Sequence, residues 1–268
     1  MTKQSHIIFI TLIILLAASF IISIVFGGSY LSLNEIISGI TSNEAIKKTI
    51  IWDIRIPRVL AGILIGAGLS ASGCVLQGLL RNPLADPFTL GISGGAAFGI
   101  AVAAILGIGT SAHPLFAGIG ALLSVFLVYS VASRKYFSVS TLVLSGVILS
   151  FLFSSLVLLI FAVSDEAKLH STLFWLAGDL SGVEISMVKV TGVIVISGII
   201  VLLFFSRDLD ILTLGEEKAT HLGVDSSRTI KIIFIIVSLI VGICVISSGI
   251  IGFVGLIIPH LIRKLTGP

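Results

Sequence analysis

Residues that could carry covalent chemistry are few in this chain. Gly91-Ile92-Ser93-Gly94 reproduces the GxSG pattern found around a serine nucleophile. Such a serine needs a base, usually histidine, within hydrogen-bond reach at the same depth. The five histidines, His6, His113, His170, His221 and His260, all fall in loops or at the ends of apolar segments, which argues against an intramembrane hydrolase. No GxxxxGKS/T phosphate loop, HExxH or CxxC pattern occurs. No metal site and no bound cofactor is therefore expected, and if ATP drives this protein, ATP and Mg must sit on another chain.

The elements that would position these residues are membrane helices. Of the 268 residues, 56% are hydrophobic and 11% charged, against about 25% charged in an ordinary soluble domain. A membrane helix needs about 20 mostly apolar residues. Windows of that kind run Ile7 to Phe26, Val59 to Leu80, Phe88 to Ile108, Pro114 to Ala132, Leu142 to Val163 and Val188 to Phe205. Ile232 to Ile262 is too long for one crossing and carries Ser247, Ser248 and Gly249 near its middle, so it divides into two short spans. The expectation is an all-α, polytopic helical bundle of about eight spans. The first window is longer than a signal-peptide core and is read as an uncleaved span. Cys74 and Cys244 lie inside apolar windows, where cysteines behave as small hydrophobes.

All thirteen Asp and Glu residues fall outside the windows, so no carboxylate is placed at mid-membrane. Ion-coupled transporters often keep acids there as relays. That weakens the alternative of an ion-coupled or facilitative secondary transporter. With the N-terminus inside, ten Lys and Arg residues fall on the inner side, Lys135 among them, and six on the outer side, which favours a cytoplasmic N-terminus. The net charge of +3 is scattered over short loops and implies no nucleic-acid partner. Glycine, 28 residues, clusters around Gly62 to Gly68 and Gly91 to Gly99. Gly95 and Gly99 have the spacing that lets helices approach closely. Gln77, Ser93, Gly94 and Gly95 are candidates for either helix packing or a polar pathway.

The longest inner polar segment is Arg207 to Lys231, within which 208–231 forms a candidate docking loop. Leu214, Lys218, His221 and Leu222 recur at helical spacing, with Glu216 and Glu217 on another side and Gly215 and Gly223 at the flanks. A short amphipathic helix and a solvated connector are both compatible with this pattern.

Taken together, the motifs resemble the membrane subunits of the iron-siderophore, haem and cobalamin class of ABC importers, the FecCD-type permeases. The resemblance rests on RIPR at Arg55 to Arg58, GAGLSASGCVLQGLLRNPLADP at Gly66 to Pro87, and LGISGGAAFG at Leu90 to Gly99. It extends to FWLAGDLSG at Phe174 to Gly182, LGEEKATHLGV at Leu214 to Val224, and SGIIGFVGLIIPHLIR at Ser248 to Arg263. It implies that residues 1–268 form a single transmembrane permease domain, with about eight spans present of a roughly ten-span importer fold. The family pattern continues past the PHxxR motif, so a C-terminally shortened permease is expected.

Further implications concern partners. The resemblance implies a non-enzymatic, multi-pass subunit of a bacterial-type plasma membrane, acting as a homodimer or as a heterodimer with a related permease. It would be embedded in membrane lipid, with two ATP-binding subunits inside and an extracytoplasmic substrate-binding protein outside. Arg55 and Arg58 would dock the binding protein through its carboxylates. Leu214, Gly215, Glu216, Glu217, Lys218, His221, Leu222 and Gly223 would form the coupling segment on the ATPase, with 208–231 as the cytoplasmic coupling loop. Phe174 to Gly182 would form a short outer helix, and Pro259, His260 and Arg263 would lie at the inner face. Iron complexes, most of all ferric siderophores, are the expected cargo.

Overall fold

The computed structural model describes residues 3–26, 45–134 and 137–267; Lys135 of the charge count lies outside them. Among these residues, six helices are long and apolar enough to cross a membrane. The first, α1, spans Lys3–Val25. A short helix α2, Ala45–Thr49, runs through a wide π turn, Ile50–Arg55, into α3, Ile56–Leu79. Pro57 explains the wide turn: it has no N–H to donate, and its ring crowds the carbonyl four residues earlier, so the helix loosens just before it.

Next come α4 (Ile92–Ile105), α5 (His113–Ser133), α6 (Val139–Ala162), α7 (Glu166–Leu176) and α8 (Ile185–Phe204). The chain then enters α9 (Ser206–Leu212), α10 (Glu216–His221), α11 (Ser226–Ser248) and α12 (Val254–Thr266). Core residues such as Ile65, Leu69, Ile100, Val195, Ile233 and Val241 lie between α3, α4, α8 and α11. By contrast, α1 is peripheral and turns its apolar side chains outward. The bundle has two ends. Arg58 and the start of α8 lie at one, called here the arginine end. The end of α3, α10 and the start of α11 lie at the other, the loop end.

Two predicted spans take a different form. Phe88 to Ile108 is not one crossing. A single turn of 3-10 helix, Pro87–Leu90, stops at Gly91 with φ 82°, and α4 then runs for only 14 residues. That is about 21 Å of helix, short of a hydrocarbon core of about 30 Å. The turn enters the middle of the bundle: Ser124 Oγ, half-way along α5, donates to the Gly91 carbonyl at 2.8 Å.

Nor does Ile232 to Ile262 form two short spans. Asp225 caps Arg228 N at 3.0 Å, so α11 starts at Ser226, before the apolar window, and makes a full 23-residue crossing. The break does fall at Gly249, which has φ 73°, and only α12, of 13 residues, is short. Its start also lies mid-bundle, because a Cβ on Gly255 would come within 2.8 Å of the Leu69 carbonyl and 2.6 Å of Pro87 Cδ.

Close backbone contact fixes α4 on α5. A Cβ at Gly95 would lie 2.4 Å from the Gly120 carbonyl, and one at Gly99 would lie 2.0 Å from the Phe116 carbonyl. Glycine is required at both by packing, as in other small-residue helix crossings.

Candidate functional site

At the loop end, α10 is a six-residue helix held between two left-handed glycines, Gly215 at φ 116° and Gly223 at φ 88°. The predicted helix from Leu214 to Leu222 is thus shorter, and both leucines flank it rather than belong to it. They project outward, Leu214 at 55% and Leu222 at 60% exposure, and Glu217, Lys218 and His221 are exposed beside them. The inner side of α10 is fastened down. Ala219 is fully buried, and the Glu216 carbonyl accepts from Thr220 Oγ1 at 2.9 Å and Ser226 Oγ at 3.0 Å. Half-buried Glu216 turns its carboxylate inward, where Oε1 accepts from Val139 N at 3.0 Å. Val139 is the first residue of α6, so an acid from the loop caps a membrane helix at its positive end.

Gln77 joins α3, the turn after it and α12. Its side chain is 4% exposed; Nε2 faces the carbonyls of Ala85 at 3.3 Å, Leu256 at 3.2 Å and Gly255 at 3.4 Å, and Oε1 accepts from the Arg263 guanidinium. Pro259, buried inside α12, supplies the reason. Lacking an N–H, it leaves the carbonyl four residues back, Gly255, without its helical partner. The amide of Gln77 answers that vacancy. One turn earlier on α3, Gly73 meets the same peptide: a Cβ there would lie 1.8 Å from the Gly255 carbonyl. Arg263 is therefore directed into this joint, while His260, three residues earlier, is exposed.

At the arginine end the two arginines part company. Arg55 is 5% exposed and donates to the carbonyl of Ile24 and, at 3.0 Å, to that of Val25, at the C-terminus of α1. A guanidinium suits the negative end of a helix. Arg58 is exposed. It lies near Asp179, whose carboxyl is held below its ordinary value chiefly by hydrogen bonds from the Ser181 hydroxyl and amide, with Arg58 contributing.

The predicted outer helix Phe174 to Gly182 is not one helix. Phe174 to Leu176 end α7, Gly178 turns at φ 80°, and Asp179 to Ser181 form a tight Asx turn. Close packing forces the turn, since Asp179 N donates to the Ser248 carbonyl at 2.8 Å.

Of the remaining candidates, Gly95 packs on α5, and a Cβ at Gly94 would lie 3.4 Å from Phe153 and Ser150 of α6. Ser93 is half-buried, with no hydrogen bond to a histidine among the described residues. Sequence reasoning missed Val139, Ser124 and Gly146. Gly146 packs backbone to backbone on the re-entrant turn, with a Cβ there only 2.5 Å from the Thr89 carbonyl. Its place in a Ser-Gly pair within an apolar window was the available signal.

Comparison with known proteins gives a consistent result. Residues 14–268 match the model of the FecCD transport family. A solved structure of a metal-chelate type ABC transporter in an inward-facing conformation superposes with a TM-score of 0.85 at 34% identity, covering 97% of this chain and 82% of that one. The cobalamin import system permease protein BtuC of Halobacterium salinarum is 39% identical over 229 residues, 82% of this chain and 60% of its own. The hemin transport system permease protein HmuU of Yersinia pestis is 33% identical over 224 residues, 81% of this chain and 67% of its own. The chain thus spans about two thirds of the length of these two relatives.

Proposed function

The chain belongs to the FecCD transport family of ABC importer permeases, and from that premise we propose that it is the membrane subunit through which an ATP-driven importer passes a metal chelate. The observation that carries this reading is the loop end. There a short helix, pinned from within by Ala219 and Glu216, presents Leu214 and Leu222 to whatever lies below the membrane. Exposed leucines beside charged side chains are what a partner's groove would take up, apolar contact at the centre and charge at the rim. That partner is a separate ATPase that holds ATP and Mg, so this chain carries out no hydrolysis itself. The loop end then faces the cytoplasm and the arginine end faces out. The N-terminus of α1 lies inside, because the other end of α1 meets Arg55.

On the outer face, Arg58 with the Asp179 turn would receive a binding protein, and Arg55 would hold α1 in place beside it. Two copies of the permease, or this chain and a related one, would enclose the pathway. For the cargo, cobalamin and hemin in the names of the relatives share a metal held in an organic cage, and a pathway with few charges suits such cargo. A ferric siderophore is the reading adopted here.

The deciding experiment is co-purification with a co-expressed ATPase subunit from detergent-solubilised membranes. Leu214→Asp with Leu222→Asp is expected to reduce bound ATPase at least about tenfold, since two buried apolar contacts of more than 1 kcal/mol each would be lost, while the chain still inserts. Wild-type stoichiometry in that variant would refute the coupling role. Uptake of radiolabelled ferric siderophore, hemin and cobalamin into proteoliposomes then ranks the cargoes, and cobalamin or hemin alone being moved would refute the siderophore reading.

A further inference from the structure

Resting on the importer reading above, we propose that Glu216 is a positioning residue that ties the coupling loop to α6, so that movement of α10 reaches the mid-bundle break along the backbone of α6. The first amide of α6 is held by no neighbour in its own segment: Ser138 Oγ accepts from Thr141 N, and Val139 N goes to Glu216, 77 residues away in the chain. A carboxylate on a helix N-terminus is charge-assisted and follows the helix dipole. Glu216 has little freedom of its own, because Thr220 and Ser226 both bond its carbonyl and buried Ala219 lies one turn on. Displacement of α10 therefore pulls on α6.

About 10 Å further along α6, Gly146 touches the re-entrant turn, its missing Cβ replaced by the Thr89 carbonyl. Another turn on, Ser150 and Phe153 border Gly94 of α4. Across the turn, Ser124 of α5 bonds the Gly91 carbonyl at 2.8 Å. These contacts involve backbone, serine side chains and the Cβ of Phe153, groups with no long flexible arm, which transmit a shift rather than absorb it. Glu216 thus faces into the membrane domain, and the exposed residues around it face the ATPase.

The test uses the full chain with its ATPase and binding protein in proteoliposomes, reading Mg-ATP hydrolysis with and without added binding protein. Val139→Pro removes the N–H that Glu216 accepts while leaving the coupling loop unaltered. Proline is tolerated at the first helical position, and Ser138, at φ −77° and ψ 150°, already has the backbone that precedes a proline. Val139→Pro is expected to keep the ATPase bound and to lower stimulation by the binding protein about tenfold, a usual size for coupling between sites. Glu216→Ala should lower it by the same factor, the double variant no further, and Glu216→Gln, whose amide oxygen still accepts, should recover most of it. Wild-type stimulation in Val139→Pro or Glu216→Ala, or a Glu216→Gln variant no better than alanine, would overturn the proposal. If Val139→Pro fails to insert, the alanine and glutamine pair decides alone. Absence of the ATPase from the unaltered chain would refute the importer reading itself, before any variant is made.

Discussion

A single side chain, Gln77, holds three backbone segments that otherwise share little. Replacing it by leucine would leave the carbonyls of Ala85 and Gly255 and the guanidinium of Arg263 without their common partner in a half-buried joint. Leaving buried polar groups unmade costs about 1–3 kcal/mol each, so Gln77→Leu is expected to destabilise the protein by about 3 kcal/mol and to loosen α12 first. Thermal unfolding in detergent and proteolysis near the start of α12 would show it; an unchanged midpoint would mean that the joint contributes nothing. The sequence identified Gln77 as a buried polar group but not its role, because its partners lie 178 and 186 residues away. Glu216 was read only as part of the coupling segment for the same reason: the amide it caps belongs to another helix. Arg55 and Arg58, paired in the motif, separate because one ends a π turn and the other lies in regular helix.

At the scale of elements, two helices begin in the middle of the bundle and run to opposite ends, α4 to the arginine end and α12 to the loop end. Pro87 lies against Gly255 between their starts. The fit is close enough to predict the cost of one methyl group. Gly73→Ala would drive its Cβ into the Gly255 carbonyl and is expected to cost about 3 kcal/mol, at the upper end of overpacking. Gly66→Ala, on the same helix with nothing within 4 Å, should instead stabilise by about 0.5–1 kcal/mol, the usual helical gain over glycine. Unfolding midpoints of the two variants check this, and similar values for both would refute the assigned contact. Long spans such as α5, α6 and α8 were legible from apolar length alone. The α4 break was not, since Phe88 to Ile108 is apolar apart from Thr89 and Ser93, and nothing in its composition marks Gly91, at φ 82°, as the place where the helix restarts. The start of α11 was hidden by polar residues that a cap turns into helix.

For the whole molecule, the polar residues sort to the two ends and the middle is held by glycine and short hydroxyl side chains, as where Ser124 Oγ donates to the Gly91 carbonyl at 2.8 Å. Such an interior has little slack, and an added or lost residue within most spans would turn the following part of the helix by about 100°. The wide turn at Ile50–Arg55 is an exception. By the standard of a regular helix it holds one residue too many. Removing one, for example Trp52, is therefore expected to yield an ordinary helix with α3 still in register, whereas the same deletion inside α8 should abolish folding; the yield of monodisperse protein would distinguish them, and equal yields would count against it. The turn is thus a place where chain length can change without rewriting the core.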